Sequence, residues 1–343
     1  MDKRLITAQS IGREVTYGTY VTGTAGLNVI SASLKAIKDT KILEEIQTSR
    51  TNSNFIQLGK TIEGEIEFVW SPRNAASNYL LQNAFGGGPV TSATATGETA
   101  GGAAFSHIIN VANFDQTYSS LSINMRKGDS ASSKIFQYSG LRVNEFSFSA
   151  EIDEPLMANV SLVGKDVSIT SNDVSASLNT TSQIPLSFVS GRLSVEASTA
   201  ALTTTSFWHV QSFELKVANN LKSDSSARRI GSDTLQVLPA GLSQFEFSCT
   251  MRFDTTTAFD AMMAGTRLVG EFEFLGDTLT TSIIRQGLKV NMPYLIIKDA
   301  GDPEIGGPNE VLTSEITFAV LRDPTSGGYA VRAQVTNDTS SYA

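Results

Sequence analysis

The sequence predicts an all-β protein, mainly strand with short helices, arranged as two tandem domains. Three observations predict it. Tyr138–Asp166 reads as a β-hairpin: Phe146, Phe148, Ala150 and Ile152 fall on one face of an extended strand and Glu145, Ser147, Ser149 and Glu151 on the other, the period-two alternation of a half-buried sheet. Charged residues are only 17% of the chain against 41% apolar, so Ser and Thr supply the polar faces, a composition that suits strands. A strand followed by a helix start, Thr61–Leu81, recurs at Gln244–Ala264.

Met1–Leu27 is polar with several Gly and Thr and reads as an extended arm, residues 1–28, without a core of its own. Val29–Ile37 alternates weakly as a strand. Lys38–Lys60 reads as a long polar connection in which Ile42, Leu43 and Ile46 could make one helical turn with an apolar face; connections of this length are usually functional or disordered. Thr61–Trp70 is a strong strand with Ile62, Ile66, Phe68 and Trp70 on one side and Glu63, Glu65 and Glu67 on the other. Ser71 and Pro72 suit a helix N-cap and first position. The helix covers Asn74–Phe85 and stops at Gly86-Gly87-Gly88. Val90–Ala104 is Gly/Ala/Thr-rich and reads as a loop; His107–Ala112 and Ser119–Arg126 read as strands. In the hairpin, Asp153-Glu154-Pro155 is the turn, because Pro cannot continue the ladder. The first domain spans residues 29–170, a polar linker residues 171–183, the second domain residues 184–335 and a C-terminal tail residues 336–343.

The repeat sets Trp70 on Phe253, Ile66 on Cys249, Phe68 on Met251, and Tyr79 and Leu80 on Met262 and Met263. It sets Ile30, Ala32 and Leu34 on Phe213, Leu215 and Val217, and Lys38–Lys60 on Leu221–Ser243. Further on, Leu121–Met125 matches Leu288–Met292, and Phe146 and Phe148 match Ile316 and Phe318.

Composition excludes several functions. The net charge of −8 argues against gripping a nucleic-acid backbone, which needs clustered Lys and Arg. A single cysteine, Cys249, permits no internal disulfide and sits at an inward strand position, as buried thiols do. The N-terminal stretch has no apolar core of a signal peptide, and no apolar run is long enough to span a bilayer. The expectation is a protein made in the cytoplasm and soluble there before any assembly. His107 and His209 lack converging ligands. Gly86-Gly87-Gly88 follows a helix and does not open one, so it is no phosphate cradle. Asp299, Asp302 and Glu304 do not have EF-hand spacing. No metal, cofactor or catalytic constellation is expected.

Three stretches carry a family resemblance: GLRVNEFSFSAEIDEPLMANVSLVGKD, LGKTIEGEIEFVW with the helix SPRNAASNYLLQNAFGGG, and LKVNMPYLIIKDAGDPEIGGPNEVLTSEITFAVLRDP. In this order the chain resembles tail tube proteins of long-tailed bacteriophages, from about Val29 to Val335; the stretch before Val29 and the loop after Gly88 depart from the family. The resemblance implies a structural virion protein built of two tandem β-sandwich tail-tube domains with short flanking helices, in which four strands of each tube domain join an inner barrel shared between subunits. With two domains per chain, three chains complete a pseudo-sixfold ring, and stacked rings form a hollow tube through which double-stranded DNA passes without specific binding. Implied partners are further copies of the chain, a tape measure protein inside the tube, and tail tip and terminator proteins at its ends.

Glu63, Glu65 and Glu67 are candidates for the lumen wall; an ordinary solvated outer face fits them equally. Glu44, Glu45 and Arg50 in one long loop and Arg228 and Arg229 in the other are candidate ring-stacking contacts, since opposite charges across an interface set register. The competing reading is a β-sandwich module of a virion decoration protein or carbohydrate-binding adhesin, which the inward placement of most aromatic residues disfavours.

Overall fold

The computed structural model describes residues 9–46, 48, 51–87, 90–98, 102–113, 118–127, 134–170, 184–197, 202, 207–253, 256–279, 282–301, 311–325 and 328–341. In the first half they form β1 (Gln9–Glu14), β2 (Ala25–Leu27), β3 (Ser31–Ala32), β4 (Lys35–Leu43), β5 (Asn54–Val69), α1 (Ala75–Ala84), β6 (Val90–Thr94), β7 (Phe105–Asn110), β8 (Ser120–Lys127), β9 (Lys134–Glu151), β10 (Met157–Gly164) and β11 (Asp166–Thr170). In the second half they form β12 (Gly191–Glu196), β13 (Val210–Ala218), β14 (Gln244–Arg252), α2 (Thr257–Met263), β15 (Leu268–Thr278), β16 (Arg285–Ala300), β17 (Thr313–Val320) and β18 (Arg332–Asn337). The fold is all-β, and its described strand pairs are antiparallel.

Two long strands organise it. The C-terminal part of β9 pairs with β10 and β13 and its N-terminal part with β8 and β11. β16 does the same with β17 at one end and with β15 and β18 at the other. Each long strand therefore passes from an inner sheet to an outer one. The inner sheet runs β4-β5-β10-β9-β13-β14-β17-β16, joined across the two halves by β9–β13. Phe68, Ala158, Phe148, Leu215, Phe247, Phe318 and Ile297 lie in register across it, and all are buried. Phe148 touches Trp70 on its own side and Phe272 of the second half, at 5.6 and 6.3 Å between ring centroids. Each such ring contributes about 1.5–3 kcal/mol of burial, so one core spans both halves.

The repeat is real in the pairing, but its alignment changes. β5 pairs Ile66 with Val160 as β14 pairs Cys249 with Ile316, and Gly64 with Leu162 as Phe247 with Phe318. The counterparts of Ile316 and Phe318 are thus Val160 and Leu162, not Phe146 and Phe148. Leu121–Met125 lies on β8, which corresponds to β15, whereas Leu288–Met292 lies on β16. Ala32, opposite Ile66, corresponds to Phe213, opposite Cys249, a slip of two residues. Alternation fixes the face of a strand but leaves such even-numbered slips open. A bulge confirms the corrected frame: Asn144 is the extra residue between β9 and β10, and Lys298 the extra residue between β16 and β17.

Four further expectations are revised. Residues 9–27 are not a detached arm: β1 pairs with β8, and Ile11 and Leu27 are core residues. Lys38–Lys60 holds no helical turn among its described residues; β4 and the start of β5 form one long hairpin. Val90–Thr94 is a strand paired with β7, and β7 pairs with β18, so a hairpin from the first half closes the outer sheet of the second. The N-cap of α1 is Asn74, whose Oδ1 accepts from the amides of Ala76 and Ser77 at 2.8 and 3.4 Å; the Ser71 hydroxyl donates instead to the Ile184 carbonyl. The linker at residues 171–183, and Asp302 and Glu304, lie outside the described residues.

Candidate assembly surfaces

One face of the inner sheet is polar because every second residue turns away from the core. Ser31, Glu67, Asn159, Ser147, Lys216, Glu246, Ala319 and Ile296 lie in register across its strands. Glu63, Glu65 and Glu67 stand on this face of β5, while Ile62, Ile66 and Phe68 are wholly buried on the other, as the alternation predicts. Lys35 lies opposite Glu63, Lys216 pairs with Glu145 at 3.3 Å and Lys298 with Glu246 at 3.0 Å. Glu65, Glu67, Glu214 and Glu315 add charge of the same sign, so the face is acidic overall.

The inner sheet ends in two open edges. Among the described residues, β3 and β4 pair only with β5, and Ile296–Ala300 pairs only with β17. The Gly301 amide bonds to the Glu315 carbonyl at 3.0 Å. Antiparallel bonding alternates along a strand, so the amide and carbonyl of Ala300 point outward from the edge. Ser31, Ala32, Lys35 and Ala36 on the opposite edge are exposed. Open edges of this kind are templates for pairing.

The β4–β5 hairpin projects beyond the sheet. Ile42, Ile46, Phe55, Ile56 and Leu58 are 43% to 107% exposed on it, a concentration of bare apolar side chains of the kind found at interaction sites. Glu44 and Glu45 lie at its far end, where Glu45 accepts a hydrogen bond from Asn54 at 2.5 Å. Arg50 lies outside the described residues. Leu221–Ser243 does not repeat this hairpin. It folds back onto the first half, burying Leu235 and Leu238 against Val163, and its Leu238 carbonyl accepts from Arg142 at 2.6 Å. Arg228 sits at the hairpin root and donates to the Thr61 hydroxyl at 2.6 Å and the Asp233 carbonyl at 3.1 Å. A Cβ at Gly59 would overlap the guanidinium, so a larger residue there would push the Arg228 head group aside. Arg228 is therefore a root clamp, and Arg229 beside it is exposed. No sequence signal separated these two neighbours, because only the fold shows which arginine is committed.

His107, on β7, is buried between Ser92 and Asn337. Its Nδ1 is 2.8 Å from the Ser92 hydroxyl and its Nε2 is 3.1 Å from Asn337 Oδ1. The Asn337 amide donates to the Pro72 carbonyl, so Oδ1 is left to accept and Nε2 carries the proton. Burial lowers the His107 pKa, partly opposed by hydrogen bonds with Asn337 and Thr339. A lowered pKa means the fold favours the neutral ring. Its stabilisation is complete above the ordinary value of about 6.5 and is lost as pH falls below it. The His107→Gln variant should accordingly lose less stability than wild type between pH 7 and pH 5 in urea unfolding; equal losses would refute this. Cys249 is buried, which raises its pKa to about 12, leaving an unreactive thiol. No cluster of metal-ligating side chains occurs among the described residues, and no helix among them is long and apolar enough to cross a membrane.

No curated protein sequence matches the chain. A family model, that of phage tail tube proteins, matches residues 6–320, nearly the whole length. With its β-rich fold and open-edged sheet, the chain belongs to the phage tail tube protein family.

Proposed function

We propose that three copies of this structural tail protein close into a ring whose inner sheets form one continuous barrel, and that stacked rings make the channel through which DNA leaves the virion. The observation that carries this is the β9–β13 pairing. It joins two like halves within one chain and supplies the pattern for joining the open edge at β16 to the open edge at β4 of the next copy. In that joint Phe146 faces Val217. The counterpart of Phe146, set opposite Val160, is Ala300, set opposite Ile316. The counterpart of Val217, opposite Phe245, is Ala36, opposite Ile62. Ala36 of one copy thus faces Ala300 of the next. Directly opposed strand residues lie within disulfide reach. A variant carrying Ala36→Cys and Ala300→Cys should, after assembly and oxidation, give a ladder on denaturing gels that ends at three chains. A ladder running to six would keep the barrel and remove the trimer; no cross-link in intact tubes would remove the seam.

The polar face lines the barrel in this reading. Its acidic surplus repels phosphate, so DNA slides without being held. Replacing Glu63, Glu65 and Glu67 together with Lys should leave tubes intact and reduce genome delivery in virions by about tenfold or more, since each reversal turns a repulsion into an attraction for phosphate. Unchanged delivery would place these residues elsewhere.

The β4–β5 hairpin reaches the adjoining ring, where Glu44 and Glu45 meet Arg229 of another copy. Tape measure, tail tip and terminator proteins contact the assembled tube, inside it and at its ends. The free protein is soluble before assembly. Residues 29–170 and 184–335 act as the two tube domains, with β1 and β2 added to the first.

A further inference from the structure

The two helices hold the same place in the repeat, each following its inner strand, yet only one is covered. Most residues of α1 are buried, and residues of the second half hold both its ends. Arg73 pairs with Asp338, the Asn337 amide donates to the Pro72 carbonyl at 2.7 Å, and the Asn219 amide donates to the Ala84 carbonyl at 2.8 Å. Phe85, just past the helix, meets Phe245 ring to ring at 6.3 Å. No residue of α2 is buried, and Phe259 and Met263 are 40% and 71% exposed. Beneath α2 lies a cavity of about 170 Å³ lined by Met251, Phe253, Phe259, Ala300 and Ile316. It exists because Ala300 and Phe253 stand where the first half has the larger Phe146 and Trp70. The cavity borders the open edge of β16.

A matching vacancy exists on the first half. β11 and β18 are counterparts: each follows its inner strand and pairs with the outer part of its long strand. β18 is covered on its far edge by β7, and Val331 just before it and Ala333 and Val335 on it are buried. Among the described residues β11 pairs only with β9. Val167 packs on the core, but Ile169, on the same face, is 59% exposed.

We propose that α2 docks on β11 of the next copy, so that Phe259 and Met263 cover Ile169 and form a second seam outside the barrel. This rests on the ring reading. Around a ring the second half of one copy meets the first half of the next, as the two halves of one chain meet at β9 and β13. α1 packs on β1, β2 and β9 of its own half, and the in-chain joint adds the contacts at its ends and the cover over β18. α2 packs on β16, and it and β11 are the equivalent surfaces left bare at the two open edges. Within one chain the joint needs the β6–β7 hairpin to reach β18. The link between α2 and β15, Ala264–Arg267, is too short for such a hairpin, so helix-to-strand contact takes its place.

The test is a variant with Met263→Cys and Ile169→Cys, assembled into tubes and treated with a short bismaleimide. Buried Cys249 stays unreacted. The expected result is an intermolecular ladder ending at three chains, absent from either single variant. In parallel, Met263→Asp should leave the melting temperature unchanged and abolish assembly, since the exposed side chain contributes nothing to the free monomer. The barrel-seam variant, Ala36→Cys with Ala300→Cys, serves as the control. If the barrel-seam variant links and the helix-to-strand variant does not, or if Met263→Asp assembles normally, the second seam is wrong and the ring stands. If neither variant links, the ring reading falls and this inference falls with it.

Discussion

Replacing Ala300 with Pro is expected to abolish tube formation while leaving a folded monomer. The amide of Ala300 points out of the open edge of β16, so proline removes a donor that the isolated chain does not use, and its ring blocks the approach of another strand. Within the chain, Ala300 keeps its place opposite Ile316 and the neighbouring Gly301–Glu315 bond is untouched. Ala36→Pro should do the same from the other edge. Each variant retains one competent edge, and the two edges differ. A mixture of the two should therefore stop at a pair, the β4 edge of the Ala300→Pro chain on the β16 edge of the Ala36→Pro chain. Sedimentation velocity separates these outcomes, and circular dichroism confirms the fold. Long tubes from either variant alone would show that the barrel closes by another route.

Trimming the β4–β5 hairpin should uncouple ring formation from stacking. Thr40 lies opposite Gln57, so residues 41–56 can be removed together and the strands rejoined through Asn-Gly, a sequence that favours the tight turn of a hairpin. The cut removes Ile42, Ile46, Phe55 and Ile56, all exposed, and leaves the clamp of Arg228 on Thr61 in place. Removing only Thr40–Asn52 would leave Phe55–Leu58 bare and unpaired and invite aggregation. Rings without tubes, by electron microscopy, are the expected product. Tubes of normal length would move the stacking surface elsewhere.

The long alternating strands were legible because a half-buried sheet writes its two faces into every second residue. Phe146 and Phe148 against Ser147 and Ser149 is such a case, and so is Ile66 and Phe68 against Glu65 and Glu67. The turn at Asp153-Glu154-Pro155 was legible for a local reason, since Pro cannot continue the ladder; Asp153 there has a φ of 69°, which Asp tolerates better than most residues. What failed had no local mark. Lys38–Lys60 is polar and apolar in no clean period because both faces of the projecting hairpin meet solvent in the monomer, so neither face was selected for burial there. Ile11 lies among Gly, Ser and Thr, and only the distant β8 shows that it is core. The two-residue slip between Ala32 and Phe213 left every side chain on its correct face and was invisible to pattern alone. The placing of Glu63, Glu65 and Glu67 away from the core was legible because three carboxylates on one strand cannot all face it. Arg228 and Arg229 look alike in sequence and differ only in what the hairpin root offers them.

In the proposed ring, one chain supplies two like parts, joined inside by β9–β13 and outside by a copy of that joint. Electron microscopy of concentrated protein, with averaging of tubes viewed along their axis, tests it most directly. The expected result is rings of three chains showing six similar lobes around an open channel. Rings of six chains, or tubes whose walls show no sixfold repeat, would contradict it.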